Sequence, residues 1–231
     1  MREGRLDYLT RELRAATRIA DTENVSANGY DATTLEMIER CGGGLVLDCG
    51  AGRRDVYHHN VVNYEIVAYD TTDVIGVGEA LPFLDNSFDA VISIAVLEHV
   101  RDPFRCAAEI ARILKPGGQL LCSVPFLQPL HGYPHHYFNA THQGLRRLFE
   151  DDLQVESVVV PHVGHPAFAL HWILNSWAAG LPPDAREAFL NQRIGDLPQG
   201  SPHAMAGQSF AALSEEKKRE LACGFLLSAR K

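Results

Sequence analysis

The stretch Leu45–Asn60, LVLDCGAGRRDVYHHN, decides the reading of the fold. Its apolar run Leu45–Asp48 has the composition of a short buried strand, and Gly50-Ala51-Gly52 follows where a sharp backbone turn needs residues without a Cβ. A strand that ends in an acid and a Gly-x-Gly opens a nucleotide-binding unit when further strand–helix alternation follows. Arg53 and Arg54 stand where a third glycine could be, and too few residues precede the next apolar run for a full helix.

Outward from this turn, Val61–Glu65 (VVNYE), Asp73–Val77 (DVIGV), Ala90–Val96 (AVISIAV), Gln119–Val124 (QLLCSV) and Gln154–Val160 read as further strands. Residues 66 to 72 are too few for the dozen or so of a usual crossover helix, so an extended return is expected there. A well-marked helix follows the fourth strand. Asp102 is its N-cap, Pro103 its first residue, and Phe104, Ala107, Ala111 and Leu114 its apolar stripe, ended by Lys115-Pro116-Gly117-Gly118. Helices are also expected over Leu6–Ala20, where Leu6, Leu9, Leu13, Ala16 and Ala20 recur at helical spacing, over Thr33–Arg40, and after Thr141. Beyond His162 come helical pieces such as AFALHWILNSWAAGL, broken by Pro182-Pro183 and by DLPQGSPHAMAGQS, before a final strand-like CGFLLSARK.

Such alternation predicts an α/β fold with a largely parallel sheet and helices on its faces. One unit of 231 residues is expected: N-terminal helices over 1–44, a core over 45–160, a helical insertion over 161–221 and a last strand over 222–231. The net charge of −8 offers no general attraction for a phosphate backbone, which disfavours nucleic acid as a partner. Five scattered cysteines without a Cys-x-x-Cys pair indicate neither a disulfide framework nor a zinc site and suit a reducing compartment. The first residues lack a signal-peptide core and no apolar run is long enough to span a bilayer, so a soluble cytoplasmic protein without a membrane partner is expected. A homo-oligomer stays open.

Four blocks in order, Val46–Gly52 (VLDCGAG), Glu79–Asp89 (EALPFLDNSFD), Val96–Val100 (VLEHV) and Glu109–Pro125 (EIARILKPGGQLLCSVP), resemble the class I S-adenosylmethionine-dependent methyltransferases, in the type 11 branch. The resemblance covers residues 45–160. It implies a Rossmann-like, seven-stranded, mostly parallel sheet with helices on both faces, a helical insertion before the last strand, and S-adenosyl-L-methionine as cofactor at the carboxyl ends of the first strands. The positions it assigns to the cofactor are Asp48, Gly50, Ala51, Gly52, Glu65, Val77, Gly78, Glu79 and Ala95. Asp48 would hold the turn's amides or the cofactor's ammonium, and Glu65, with Asp70 as the alternative, would accept the ribose hydroxyls. Val77 occupies a position where the family often has an acid for adenine, and Glu79 lies two residues later. The arginines at 53 and 54 replace a glycine whose usual role is helix packing, so Arg54 is expected to matter little.

The acceptor side is expected after the fifth strand, in FLQPLHGYPHHYFNA. Methyl transfer to a hydroxyl requires removal of its proton, and histidine titrates in the right range. His131, His135, His136 and Tyr137 are therefore the candidate catalytic residues, with His131 or His135 as base. Glu98 and His99 are alternatives, equally suited to starting the helix. No metal ligand pattern fits His131, His135, His162 and His165. Phe168, Trp172, Ile173 and Trp177 form a stripe that suits a buried helix face or a cap over the pocket. The expected reaction is methylation of a small-molecule oxygen, nitrogen or carbon, in sugar or natural-product metabolism. An RNA methyltransferase and a non-catalytic methyltransferase-like binding module are the competing readings.

Overall fold

The computed structural model describes residues 4–19, 26–27, 29–132, 135–193 and 212–221. Two compact units emerge: residues 1–126 with 132–159, and residues 127–131 with 160–231.

The first unit is built on a parallel sheet of six strands: β1 (Leu6–Asp7), β2 (Val46–Cys49), β3 (Val61–Glu65), β4 (Val74–Ile75), β5 (Phe88–Ile94) and β6 (Leu114–Ser123), in the order β1-β4-β3-β2-β5-β6. β2 lies at the centre, with Asp48 opposite Asn63 on one side and Ile92 on the other. Its four residues are all buried, as a strand covered on both faces requires. Helix α1 (Arg11–Thr17) follows β1, α2 (Ala32–Cys41) precedes β2, and α3 (Pro103–Ile113) crosses from β5 to β6. Asp31 caps α2 through the amide of Thr34, and Asp102 caps α3 through that of Arg105. On one face Cys106, Ala107, Ile110 and Ile113 of α3 pack against Leu47, Tyr64 and Val91. On the other, Met37 and Ile38 of α2 pack against Val46, Val61, Ala90 and Ile92. Helix α4 (His142–Phe149), capped by Thr141, closes the unit.

Two expectations are corrected. Leu6–Asp7 is an edge strand and not the first turn of a helix: Leu6 donates to the Asp73 carbonyl, Tyr8 to that of Ile75, and the Arg5 side chain bonds the carbonyls of Thr72 and Tyr69. Residues 154–160 form no strand, and Val159 and Val160 are exposed: among the described residues no neighbouring strand takes up their amides. With β1 added and 154–160 left out, the sheet has six strands among the described residues. The expected last strand, 222–231, lies outside them. No helix lies in residues 50–60, where a trimmed one was expected, and none in residues 66–72, as anticipated.

In the second unit, helices α5 (Pro166–Ala179), α6 (Pro183–Leu190) and α7 (Glu215–Glu220) share a small core of Ala178, Leu181, Phe189 and Leu213. Trp177 stacks on Phe189 there, whereas Phe168 is exposed. No helix among the described residues is long and apolar enough to cross a membrane.

Candidate active site

The carboxyl ends of β2, β3, β4 and β5 gather the residues that the sequence singled out in the first unit. After β2 the chain turns with Gly50 at φ +85° and Gly52 at φ +62°, both in the left-handed region that favours glycine. A Cβ on Gly50 would lie 2.4 Å from Val96 Cγ2, and one on Gly52 would lie 2.5 Å from the Ser26 carbonyl oxygen. The buried Ala51 completes the turn.

Five successive amides of this turn are satisfied within the chain. Gly50 and Ala51 donate to the Tyr64 carbonyl at 2.9 and 3.1 Å, Gly52 to Glu65 Oε2 at 2.8 Å, Arg53 to the Ser26 carbonyl at 2.7 Å, and Arg54 to Thr71 Oγ1 at 3.0 Å. Asp48 holds none of them, contrary to one of its two expected roles. Its Oδ2 accepts from the Tyr30 hydroxyl and from Arg54, at 2.9 Å from Nε and 2.7 Å from Nη2, while Oδ1 is buried without a partner. Burial raises the carboxyl pKa, and Arg54 and Tyr30 oppose the rise. Arg54 is thus no idle replacement for a glycine. Its side chain is 9% exposed, and its guanidinium lies 4.1 Å from the centre of the Tyr30 ring.

Glu65 ends β3 and also takes the Ile66 amide at 2.6 Å. Loss of solvent, and to a lesser extent the charge of Asp48, raises its pKa, and the backbone amides of Gly52, Ile66 and Val67 oppose the rise. Asp70 is exposed on the loop that follows. Val77 packs its side chain with Leu9 and Ile75 and gives its carbonyl to the Tyr64 hydroxyl at 2.9 Å. Gly78 faces Cys106, whose Sγ would be 2.4 Å from a Cβ. The buried Glu79 directs Oε1 to the amides of Arg101 and Asp102, at 3.1 and 3.5 Å, where α3 begins. Gly78 and Glu79 thus have packing and capping reasons of their own. Ala95 adopts φ +55° just after β5, a strained conformation of the kind concentrated at functional sites, and its amide donates to the Ser123 carbonyl.

In the turn after β5, Glu98 is completely buried, neither side-chain oxygen has a hydrogen-bond partner, and burial pushes its carboxyl up to about 7. His99 Nε2 is 3.7 Å from Glu98 Oε1, and its Nδ1 is 2.7 Å from the His135 carbonyl. A carbonyl only accepts, so Nδ1 carries the proton and Nε2 is the basic nitrogen. The histidine segment is anchored here, since Tyr137 and Phe138 donate their amides to the Glu98 carbonyl. His136 lies with its ring 5.6 Å from that of His99, and His135 places Nε2 on the Arg18 carbonyl and its ring 5.1 Å from Tyr137. His131 belongs to the second unit, where its Nδ1 bonds the Pro129 carbonyl and its ring lies beside Trp172. The Glu98–His99 pair was legible as an acid beside a histidine after an apolar strand, but its complete burial was not.

Residues 41–122 match the family described as Methyltransferase domain. The chain is 43% identical over 88 residues to a demethylmenaquinone methyltransferase of Renibacterium salmoninarum, covering 38% of this chain and 34% of that protein. It is 34% identical over 134 residues to a ubiquinone biosynthesis O-methyltransferase of Dinoroseobacter shibae, covering 52% and 50%. To a ubiquinone/menaquinone biosynthesis C-methyltransferase of Pasteurella multocida it is 49% identical over 55 residues, covering 22% and 20%. The chain spans half or less of the length of these relatives. Over residues 41–122, with a glycine turn at the carboxyl edge of a parallel sheet, the chain carries a stretch similar to the methyltransferase domain.

Proposed function

We propose that the chain transfers a methyl group from S-adenosyl-L-methionine to an oxygen, nitrogen or carbon of a small-molecule acceptor. The observation that carries this reading is the pair of desolvated carboxylates flanking the glycine turn. Asp48 has one buried oxygen without a donor, and Glu65 stands at the end of β3 with its oxygens already oriented by two amides. Both fit the polar ends of the cofactor, an ammonium for Asp48 and ribose hydroxyls for Glu65. When bound, the cofactor supplies an electrophilic methyl group on a sulfonium.

The acceptor's needs fall to the other side of the site. A hydroxyl acceptor must lose its proton as the new bond forms, and His99 is oriented for that by the His135 carbonyl, with Glu98 beside it to share the charge that develops. His135, His136 and Tyr137 line the same segment, and His131 is a further candidate base. The acidic net charge favours a small metabolite, of sugar or natural-product type, over RNA. The quinone precursors implied by the relatives' names are the rival acceptor class.

Calorimetric titration with S-adenosylhomocysteine, followed by transfer of label from S-adenosylmethionine into candidate acceptors, tests the proposal. Binding with transfer is the expected result. Absence of binding by the folded chain refutes it in favour of a non-catalytic module.

A further inference from the structure

We infer that Arg54 and Asp48 together form a receptor for the amino-acid end of the cofactor, with Arg54 as its carboxylate-binding group. The inference rests on the cofactor reading above and assigns a role to a residue that the sequence had set aside. An α-amino acid end carries a carboxylate and an ammonium, and it needs donors for one and an acceptor for the other. Turns of this kind ordinarily offer backbone amides to an anion. Here the amides of residues 50 to 54 all donate within the chain, so none is left for a carboxylate unless the turn is broken.

The cation at the turn has to come from a side chain. Arg53 is exposed, whereas Arg54 is folded inward and held on three sides, by Asp48, by the face of Tyr30 and through its own amide by Thr71. Asp48 gives Oδ2 to Arg54 and Tyr30 and keeps Oδ1 buried without a donor. Taking both charges of an ion pair out of water is seldom repaid by their attraction alone, so a pair this buried has little value as a structural brace. As a pre-oriented receptor its cost has a purpose: the guanidinium receives the carboxylate, the free oxygen of Asp48 receives the ammonium, and the alternation of charges leaves none unpaired.

The test compares two ligands in the full chain by calorimetry: S-adenosylhomocysteine, and 5′-methylthioadenosine, which has the nucleoside and the sulfur but no amino-acid end. In the parent, S-adenosylhomocysteine should bind more tightly. Arg54→Met should weaken it by about ten- to a hundredfold, the loss expected of a charge-assisted pair, and leave methylthioadenosine nearly unchanged. Arg54→Lys, with the charge but not the planar fork, should recover part of the loss. Equal weakening of both ligands, or unchanged or tighter S-adenosylhomocysteine binding in Arg54→Met, overturns the inference. So does a parent that binds the two ligands equally, a measurement that needs no variant to fold. A parent that binds neither ligand removes the cofactor reading itself.

Discussion

Glu65 Oε2 accepts the amide of Gly52 at 2.8 Å, so the acid that ends β3 clasps the glycine turn that follows β2. These strands pair in parallel from Val46 opposite Val61 to Cys49 opposite Tyr64. The bond extends that register past the last paired residues and fixes the glycine turn on the acid.

Glu65→Ala should therefore cost more cofactor affinity than Asp70→Ala. If Glu65 holds the ribose as proposed, the first variant removes charge-assisted hydrogen bonds each worth about 1.5–3 kcal/mol where solvent is excluded, and it unclasps Gly52 as well. Asp70 is exposed and should change affinity little. Calorimetry with S-adenosylhomocysteine on both variants checks the order, and equal small losses would contradict it.

Gly50→Ala and Gly52→Val should each destabilise the fold as well as weaken cofactor binding. The added Cβ meets Val96 or the Ser26 carbonyl oxygen at 2.4 or 2.5 Å, and both positions have positive φ. Strain of this kind costs on the order of 1–3 kcal/mol. Thermal melts without ligand should already show the loss. If either variant melts like the parent and fails only to bind cofactor, the glycine serves the ligand and not the chain.

Much of this arrangement was legible because it is local. The apolar run before Gly50, the Asp102-Pro103 cap and the short 66–72 connection each carry their signal within a few residues. What escaped depends on partners far along the chain. Leu6–Asp7 follows helical spacing, but its amides are fixed by the edge of β4, over sixty residues away. Gln154–Val160 has the composition of a strand and, among the described residues, no strand beside it. Arg54 looked like a lost glycine because its partners, Asp48 and Tyr30, meet it only once α2 has packed and β2 is paired. Periodicity cannot report such contacts.

Glu98 makes stability depend on pH in a defined direction. Its carboxyl rises to about 7 in the folded chain because burial disfavours the charged form, whereas an unfolded glutamate titrates at about 4.3. Raised in the folded state, the group contributes fully below the unfolded value, and the contribution is lost as pH rises from there through about 7. Glu98→Gln keeps the shape and cannot ionise. It should be nearly neutral at low pH and stabilising above neutrality by roughly 3–4 kcal/mol, from a shift of two to three pKa units at about 1.4 kcal/mol each. Urea unfolding at pH 5 and pH 8 measures the difference. A parent–variant gap that does not widen with pH would falsify the buried, protonated assignment.

His99 is held against the Glu98 carboxyl group, which makes the acceptor chemistry testable residue by residue. If the acceptor is a hydroxyl, its proton goes to His99 Nε2, the nitrogen left basic by the bond from Nδ1 to the His135 carbonyl. His99→Asn should then lower turnover by about 10²–10⁴-fold with S-adenosylhomocysteine affinity nearly unchanged, because a base acts on the acceptor and not on the cofactor. Parental turnover should rise with pH through the histidine range, and the variant should lose that rise. His136→Ala removes a neighbour whose Nε2 bonds Phe138 and Asn139, and His135→Ala keeps the backbone carbonyl that orients His99, so both should change turnover by much less. His131→Ala tests the candidate base from the second unit. Should His131→Ala or His135→Ala abolish the pH dependence while His99→Asn preserves it, the base lies in the histidine segment and His99 only supports the turn after β5. An amine that arrives deprotonated, or a carbon nucleophile activated by its own substituents, needs no base. For such an acceptor all four variants keep the parental pH profile, and their effect falls on KM.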